Sequence, residues 1–337
     1  MISLRNDIIC QGPVPKDFPG VSKYSKIRVC GCIPAVKMTN TNHIYLCKRW
    51  RFRPLVPVSI ILVTVFFFVM TSIFLFPYYG FEGKIANGVS ALLFLLFLTS
   101  YLQTICIGAG FYPFYWYQKQ LEPNNELFSN HDDNSPSGII TTEEQYNWAK
   151  SKPRPPRSVI SREAERIVLM PDHFCGVSSS YIGKRNLKFF TVFNLYAALF
   201  CGLLISYSLR LIIVQIRDHG WVWKFHFLFA FVTIIVGLQL GGMALMFFGN
   251  VCYNTVGGAT TLEKSMFFGN TKERFDRGVK KNFEIIFGSW WCLPCWICPI
   301  GPFWCKTNDE IMEGEKSYYD DALFNQTEFT DQNTISV

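Results

Sequence analysis

Long uncharged apolar runs set the plan of this chain. Four blocks, Leu55–Phe76, Ile85 into the 100s, Phe189–Leu209 and Phe225–Phe248, are long enough to cross a bilayer as helices, which takes about 20 apolar residues. The second block meets no charge before Lys119. Runs of this length that are apolar on every face predict lipid-facing or deeply buried helices. The segments between them are polar. The expected fold class is therefore an all-α polytopic membrane protein, with four transmembrane helices and a cytosolic insert between spans two and three.

Lys and Arg set the orientation. Ten lie in residues 1–54, ten between spans two and three, and eight after span four, while the short connections hold few. By the positive-inside rule both termini and the insert are cytosolic. The expected organisation is a basic N-terminal segment (1–54), a first hairpin (55–113), a cytosolic domain (114–188), a second hairpin (189–248), a membrane-proximal C-terminal region (249–305) and an acidic disordered tail (306–337). Residues 122–145 are rich in turn formers and read as a linker.

Composition narrows the class. Half of the 337 residues are hydrophobic, 32 are Phe and 17% are charged, with the apolar ones gathered in blocks. That distribution argues against a soluble enzyme. A net charge of +7 needs no nucleic-acid partner. Twelve cysteines in so long a chain do not make a secreted disulfide scaffold. Residues 1–54 hold no apolar core segment, so no cleavable signal peptide is expected.

The candidate chemistry lies just before span three. Asp172-His173-Phe174-Cys175 places an acid, an imidazole and a thiol within four residues. A thiol needs a base to become a nucleophilic thiolate, and an imidazole needs a carboxylate to settle its tautomer. In an extended or turn conformation the side chains of His173 and Cys175 face the same way. Cys175 is also close to the start of span three at Phe189, where a water-soluble leaving group and a lipid-soluble chain can meet. The same residues also fit a plain juxtamembrane cysteine beside an unrelated histidine.

The surrounding motifs decide between these readings, because together they resemble the DHHC family of protein S-acyltransferases. Arg154-Pro155-Pro156-Arg157-Ser158 is similar to the family's K-P-P-R-S, and Gly183, Asn186 and Phe190 follow the cysteine at the family's spacing. Thr260-Thr261-Leu262-Glu263 matches its T-T-x-E motif. Phe275-Asp276-Arg277-Gly278, Asn282-Phe283 and Phe287-Gly288 match the C-terminal pattern. Of the family's D-P-G-x-x-P, the run Gly108 to Pro113 keeps only the second Gly and the Pro.

The resemblance implies ping-pong transfer of a palmitoyl or other long-chain acyl group. Acyl-CoA would be the co-substrate, and the chain would pass through a Cys175 thioester to cysteines of membrane-associated proteins. His173 would be the base and Asp172 its partner. Thr260, Thr261, Glu263, Asn282 and Phe283 would support the site. Arg157, Arg166, Lys184, Arg185 and Lys188 are candidates for CoA phosphates, or else for lipid headgroups. Family members also bind structural zinc in this region. Here the cysteine positions hold Asn147, Lys150, Ser161, Ala164, Ile167 and Tyr181, and the histidine positions Val159, Ile160 and Phe174. None of these is a thiolate or imidazole, so no zinc is expected there, and Val159, Ile160, Ile167, Phe174 and Tyr181 are expected to fill the vacated core. Cys292, Cys295, Cys298 and Cys305 form a separate cluster, suited to self-acylation more than to a metal. The expected setting is an endomembrane or the plasma membrane. The competing reading is a catalytically silent scaffold of the same fold.

Overall fold

The computed structural model describes residues 14–15, 17–20, 24–46, 50–116, 128–129, 141–152, 155, 157–219, 225–267, 275–303 and 311. Three helical stretches are long and apolar enough to cross a membrane: Leu55–Ile107, Leu187–Asp218 and Phe225–Val256. The first consists of two helices, α1 (Leu55–Phe74) and α2 (Gly80–Ile107), joined by a 3-10 turn at Phe76–Tyr79. Pro77 opens that turn, and Gly80 leaves it at φ +55°. The two helices double back on each other. Phe68 stacks on Phe94 at 4.8 Å, and Ser72 donates to Asn87 at 2.8 Å. Gly83 permits the close return, since a Cβ there would lie 1.8 Å from the Phe76 carbonyl oxygen.

Helix α4 (Leu187–His219) and helix α5 (Phe225–Val256) form the other long pair. Gly237 and Gly241 are one turn apart on α5 and let it approach α4. A Cβ at Gly241 would sit 2.7 Å from Cys201 Cβ, and one at Gly237 would sit 2.9 Å from Ile205 Cγ1. Gly241→Leu is expected to force the helices apart and cost about 1–3 kcal/mol. A clearly lower melting temperature in detergent would show this, and an unchanged one would refute the close-packing account. Large apolar side chains such as Leu62, Phe66, Leu92, Ile235, Leu238 and Leu245 remain exposed around the helices. A band of this kind is what a lipid-facing surface requires.

The chain is mostly helical, but it is not all-α as expected. The N-terminal segment carries a four-stranded antiparallel meander, β2 (Tyr24–Val29), β3 (Ile33–Met38), β4 (Ile44–Leu46) and β5 (Trp50–Arg51), in that spatial order. Cys30 and Gly31, at φ +50° and +73°, turn the first hairpin. Two short strands, β1 (Val14–Pro15) and β7 (Phe128–Ser129), pair separately. The basic residues of β2 and β3 mask the strand pattern, because their solvent face reads as a charged arm.

The insert is built on two more sheets. Strands β6 (Phe111–Tyr112), β9 (Arg166–Leu169) and β8 (Ser158–Ser161) lie in that order, and β10 (His173–Cys175) pairs with β11 (Ser180–Ile182). Helix α3 (Thr142–Lys150) starts inside the segment expected to be linker. Its capping box explains the difference: Thr141 Oγ1 accepts from the Glu144 amide at 3.2 Å, while Glu144 accepts from the Thr141 amide at 2.9 Å. Residues 122–127 and 130–140 of that linker, and nearly all of the acidic tail, lie outside the described residues. After α5 come α6 (Thr261–Phe267), α7 (Val279–Phe287), a 3-10 turn at Trp290–Cys292 and α8 (Leu293–Ile297).

Candidate active site

Three elements hold Asp172, His173 and Cys175. Strand β10 pairs residue by residue with β11, His173 opposite Ile182 and Cys175 opposite Ser180. The Asp172 amide adds a bond to the Ile182 carbonyl at 2.8 Å. Next comes the start of α4. Asn186 accepts from the Gly183 amide at 2.8 Å and donates to the carbonyls of Tyr181 (2.8 Å) and Thr104 (3.0 Å). Gly183 has no room for a side chain, as a Cβ would meet the Leu169 carbonyl oxygen at 2.7 Å. Phe190, one turn further, meets the His173 ring edge-on at 4.9 Å. The motif Gly183, Asn186, Phe190 thus ties the reactive hairpin to a long apolar helix.

The third element is the turn into α6. The Thr261 amide donates to Asp172 Oδ1 at 2.7 Å, and the Thr260 hydroxyl donates to the Pro171 carbonyl at 2.8 Å. It is therefore the main chain of Thr261 that reaches the acid. Glu263 holds this turn by accepting from the Thr260 amide at 2.8 Å. Its carboxylate also takes two bonds from Arg157, Nε at 2.6 Å and an Nη at 2.5 Å, and that Nη also donates to the Gly258 carbonyl at 2.9 Å. Asn282 closes the region by bonding Arg277, Asp276 and the Val256 carbonyl, and Phe283 stacks with Phe287 and Trp296.

Within the site Asp172 Oδ2 and His173 Nδ1 lie 2.7 Å apart. Burial disfavours the charged imidazole, but hydrogen bonds to Asp172 and Cys175 outweigh it and push its pKa up to about 9. Burial also raises the Cys175 thiol, yet hydrogen bonds from His173 and Ser178 bring it below its ordinary value. Both shifts favour a thiolate–imidazolium pair, the state in which a cysteine attacks a thioester.

Cys175 and Val177 lie at one end of an apolar cavity between α1, α2, α4 and α5. It encloses about 900 Å³ of atom-free space, its open mouth included. Along α4 its lining runs from Phe190 to Leu204, fourteen residues or about 21 Å of helix. Thr64, Asn194 and Thr233 are the few polar residues on its wall. Two residues with no signal in sequence hold the turn after Cys175. Tyr101 of α2 donates to the Val177 carbonyl at 2.7 Å, and Trp50 of β5 donates to the Ser179 carbonyl at 3.2 Å. Each reads in sequence as an ordinary aromatic near a membrane helix.

Other expected site residues are placed differently. Arg157 is buried against Glu263 and stacks on Phe275, with its Cζ 4.6 Å from the ring centroid. Arg166 is buried between Phe111 and Tyr45. Lys184 is buried beside Phe303, and Lys188 donates to the carbonyls of Cys295 and Ile300 at 2.7 and 2.6 Å. These four cations are buried and have partners inside the protein. Arg185 is half-buried against Gly110. Cys292 and Cys295 are joined as a disulfide, Cys298 is a half-buried free thiol, and Cys305 lies outside the described residues, as do Arg154 and Pro156.

The positions where the family carries zinc ligands do not suit a metal. Ile160 and Ile167 are buried with Tyr112, Phe114 and Tyr146. Ala164 packs with Phe111 and Val168, and Ser161 donates to the Tyr181 hydroxyl at 2.8 Å. Asn147 is exposed, and Lys150 lies over the Tyr146 ring. Three of the expected core fillers differ: Val159 and Tyr181 are only half-buried, and Phe174 is 39% exposed, edge-on to Tyr181. A hydrocarbon wall with one hydroxyl pair offers zinc no anionic or imidazole ligand.

Comparison with known proteins agrees with this geometry. Residues 140–266 match the family model described as DHHC palmitoyltransferase. The chain is 29% identical over 171 residues to palmitoyltransferase ZDHHC15 of Xenopus laevis, covering 46% of this chain and 49% of that protein. It is 26% identical over 241 residues to palmitoyltransferase ZDHHC2 of Danio rerio, covering 60% and 62%. A probable protein S-acyltransferase 12 of Arabidopsis thaliana is 32% identical over 155 residues, covering 42% and 50%. The aligned region thus spans between half and two thirds of these relatives. Residues 140–266 are thus similar to the DHHC palmitoyltransferase family.

Proposed function

We propose that this protein is a membrane-embedded protein S-acyltransferase with Cys175 as nucleophile. The observation that carries the reading is the Asp172–His173–Cys175 relay at the mouth of an apolar cavity. In this reading α1, α2, α4 and α5 are four spans, both termini and the insert face the cytosol, and the host membrane is an endomembrane or the plasma membrane. The Cys175 thiolate attacks the thioester carbonyl of a long-chain acyl-CoA. The C–S bond to CoA breaks, and CoA leaves as its thiolate, taking a proton from His173. The thiol of a membrane-associated protein then attacks the acyl-enzyme, gives its proton to His173 and leaves carrying the acyl chain.

Asp172, held by the Thr261 amide, keeps the imidazole turned toward the sulfur. Thioester exchange changes little in bond energy, so positioning and thiolate formation do most of the work. Between the helices each buried methylene of the chain contributes about 0.8 kcal/mol. That gain favours acyl-CoA over short or polar thioesters. Cys298 and Cys305 are proposed as self-acylation sites.

The test is labelling of the purified protein with radiolabelled palmitoyl-CoA. A hydroxylamine-sensitive adduct that Cys175→Ser lacks is expected. Equal labelling of both proteins would refute the nucleophile. Absence of labelling from both, with the chain folded, would favour a silent scaffold.

A further inference from the structure

The insert has two tight turns, each closed by one main-chain bond of its own, Glu165 to Arg162 and Ser179 to Gly176. One, Arg162–Glu165, joins β8 to β9. The other, Gly176–Ser179, joins β10 to β11 directly after Cys175. Both hold a non-glycine residue at positive φ, Glu165 at +56° and Ser179 at +49°. Such turns persist only where surrounding groups over-determine them. A metal can do this by bonding ligands from several segments, but among the described residues no group of three or more His, Cys, Asp or Glu side chains gathers to hold one.

We infer that the N-terminal sheet is the clasp that replaces a metal here, with Tyr45 and Trp50 as the positioning residues that tie the two turns together and hold Cys175 in its reactive setting.

The contacts converge on both turns from one strand pair. From β4 and its preceding turn, the Tyr45 hydroxyl donates to Glu165 Oε2 at 2.8 Å, His43 bonds the other oxygen, and Thr41 adds a longer bond at 3.4 Å. Tyr45 is 1% exposed, and its ring also lies against the Arg166 guanidinium. Beside them Arg53 pairs with Glu163 at 2.5 Å. From β5, the Trp50 indole reaches the second turn at the Ser179 carbonyl, and its ring packs in the same core as Cys175. Arg53 also lies over Phe174, 5.9 Å from the ring centroid. Tyr45 is paired with Arg51 and Leu46 with Trp50 across the two strands, so a force on one turn is passed to the other through main-chain bonds. Ser178 lies next to the carbonyl that Trp50 holds, and its main-chain amide bonds the thiol.

The inference deepens the reading of Cys175 as nucleophile, but its test does not depend on acyl transfer. Full-length protein in detergent is followed by amide hydrogen exchange across 158–182 and by the pH midpoint of Cys175 alkylation with iodoacetamide. Adding 1,10-phenanthroline is expected to change neither. Glu165→Ala is expected to speed exchange at Arg166–Leu169 at least tenfold. Trp50→Phe keeps the aromatic bulk but loses the indole N–H. It is expected to move the alkylation midpoint to higher pH, which loss of packing alone does not do. If Glu165→Ala does not fold, Tyr45→Phe removes one hydrogen bond and carries the same prediction on a smaller scale. Faster exchange with the chelator would overturn the clasp, as would wild-type exchange and midpoint in these variants. Normal results here with no acyl adduct would count against the acyltransferase reading alone.

Discussion

His173→Gln is expected to abolish most of the reactivity of Cys175 at neutral pH. In the native site hydrogen bonds from His173 and Ser178 hold the thiol below its ordinary pKa of 9.0 against the opposing effect of burial. Glutamine leaves the burial and removes the proton acceptor, so the midpoint of alkylation should rise. Each unit of rise lowers the thiolate fraction at pH 7 about tenfold. For acyl-adduct formation, where His173 also moves the proton, a loss of about 10²–10⁴-fold is expected. The native profile should rise below pH 9 and stay flat until the imidazole titrates near pH 9. The sign for stability follows from the same group. Its folded pKa of about 9 exceeds the ordinary value of 6.5, so its contribution is full below pH 6.5 and lost as pH climbs through 9. An identical alkylation profile for the wild type and His173→Gln would rule out the ion pair.

Glu263→Gln should have the second largest effect, and it acts on folding first. The Arg157 and Glu263 side chains are 1% and 7% exposed, so the variant strands a buried guanidinium without its counter-charge. Breaking a buried pair from one side costs about 3–5 kcal/mol. The same carboxylate caps the Thr260 turn, whose Thr261 amide bonds Asp172. Loss of stability should therefore come with slower Cys175 alkylation. The paired replacement Arg157→Met with Glu263→Leu removes both charges and should recover much of the melting temperature. A wild-type melting temperature for Glu263→Gln would show that the pair is not a structural centre.

Parts of the site were legible because they are local. Asp172, His173 and Cys175 share one short strand and its lead-in, so their adjacency in sequence is nearly their adjacency in space. Asn186 closes the turn that leads into its helix by accepting from the Gly183 amide, and the T-T-x-E turn bonds itself through Thr260 and Glu263. Other features depend on contacts far apart in sequence. Arg157 and Arg166 look like surface cations in a basic segment, and only the fold shows that aromatic rings and a carboxylate cover them. His43 has no partner near it in sequence, and its carboxylate, Glu165, comes 122 residues later. The start of α3 is carried by a four-residue capping box within a polar stretch, a signal that composition hides.

What the sequence by itself determined was the set of long apolar helices, the charge asymmetry around them, and the acid–imidazole–thiol triplet. Each depends on residues within a turn or two, or on a run whose burial needs no particular partner. Only the tertiary structure decided which faces met. It brought the Tyr101 hydroxyl and the Trp50 indole to the turn after Cys175, opened an apolar cavity lined by the thiol, and set the N-terminal sheet against the turn at Glu165. Those pairings join residues 76 to 129 positions apart. Many partners are chemically possible at that separation, and the packing of the whole chain selects one.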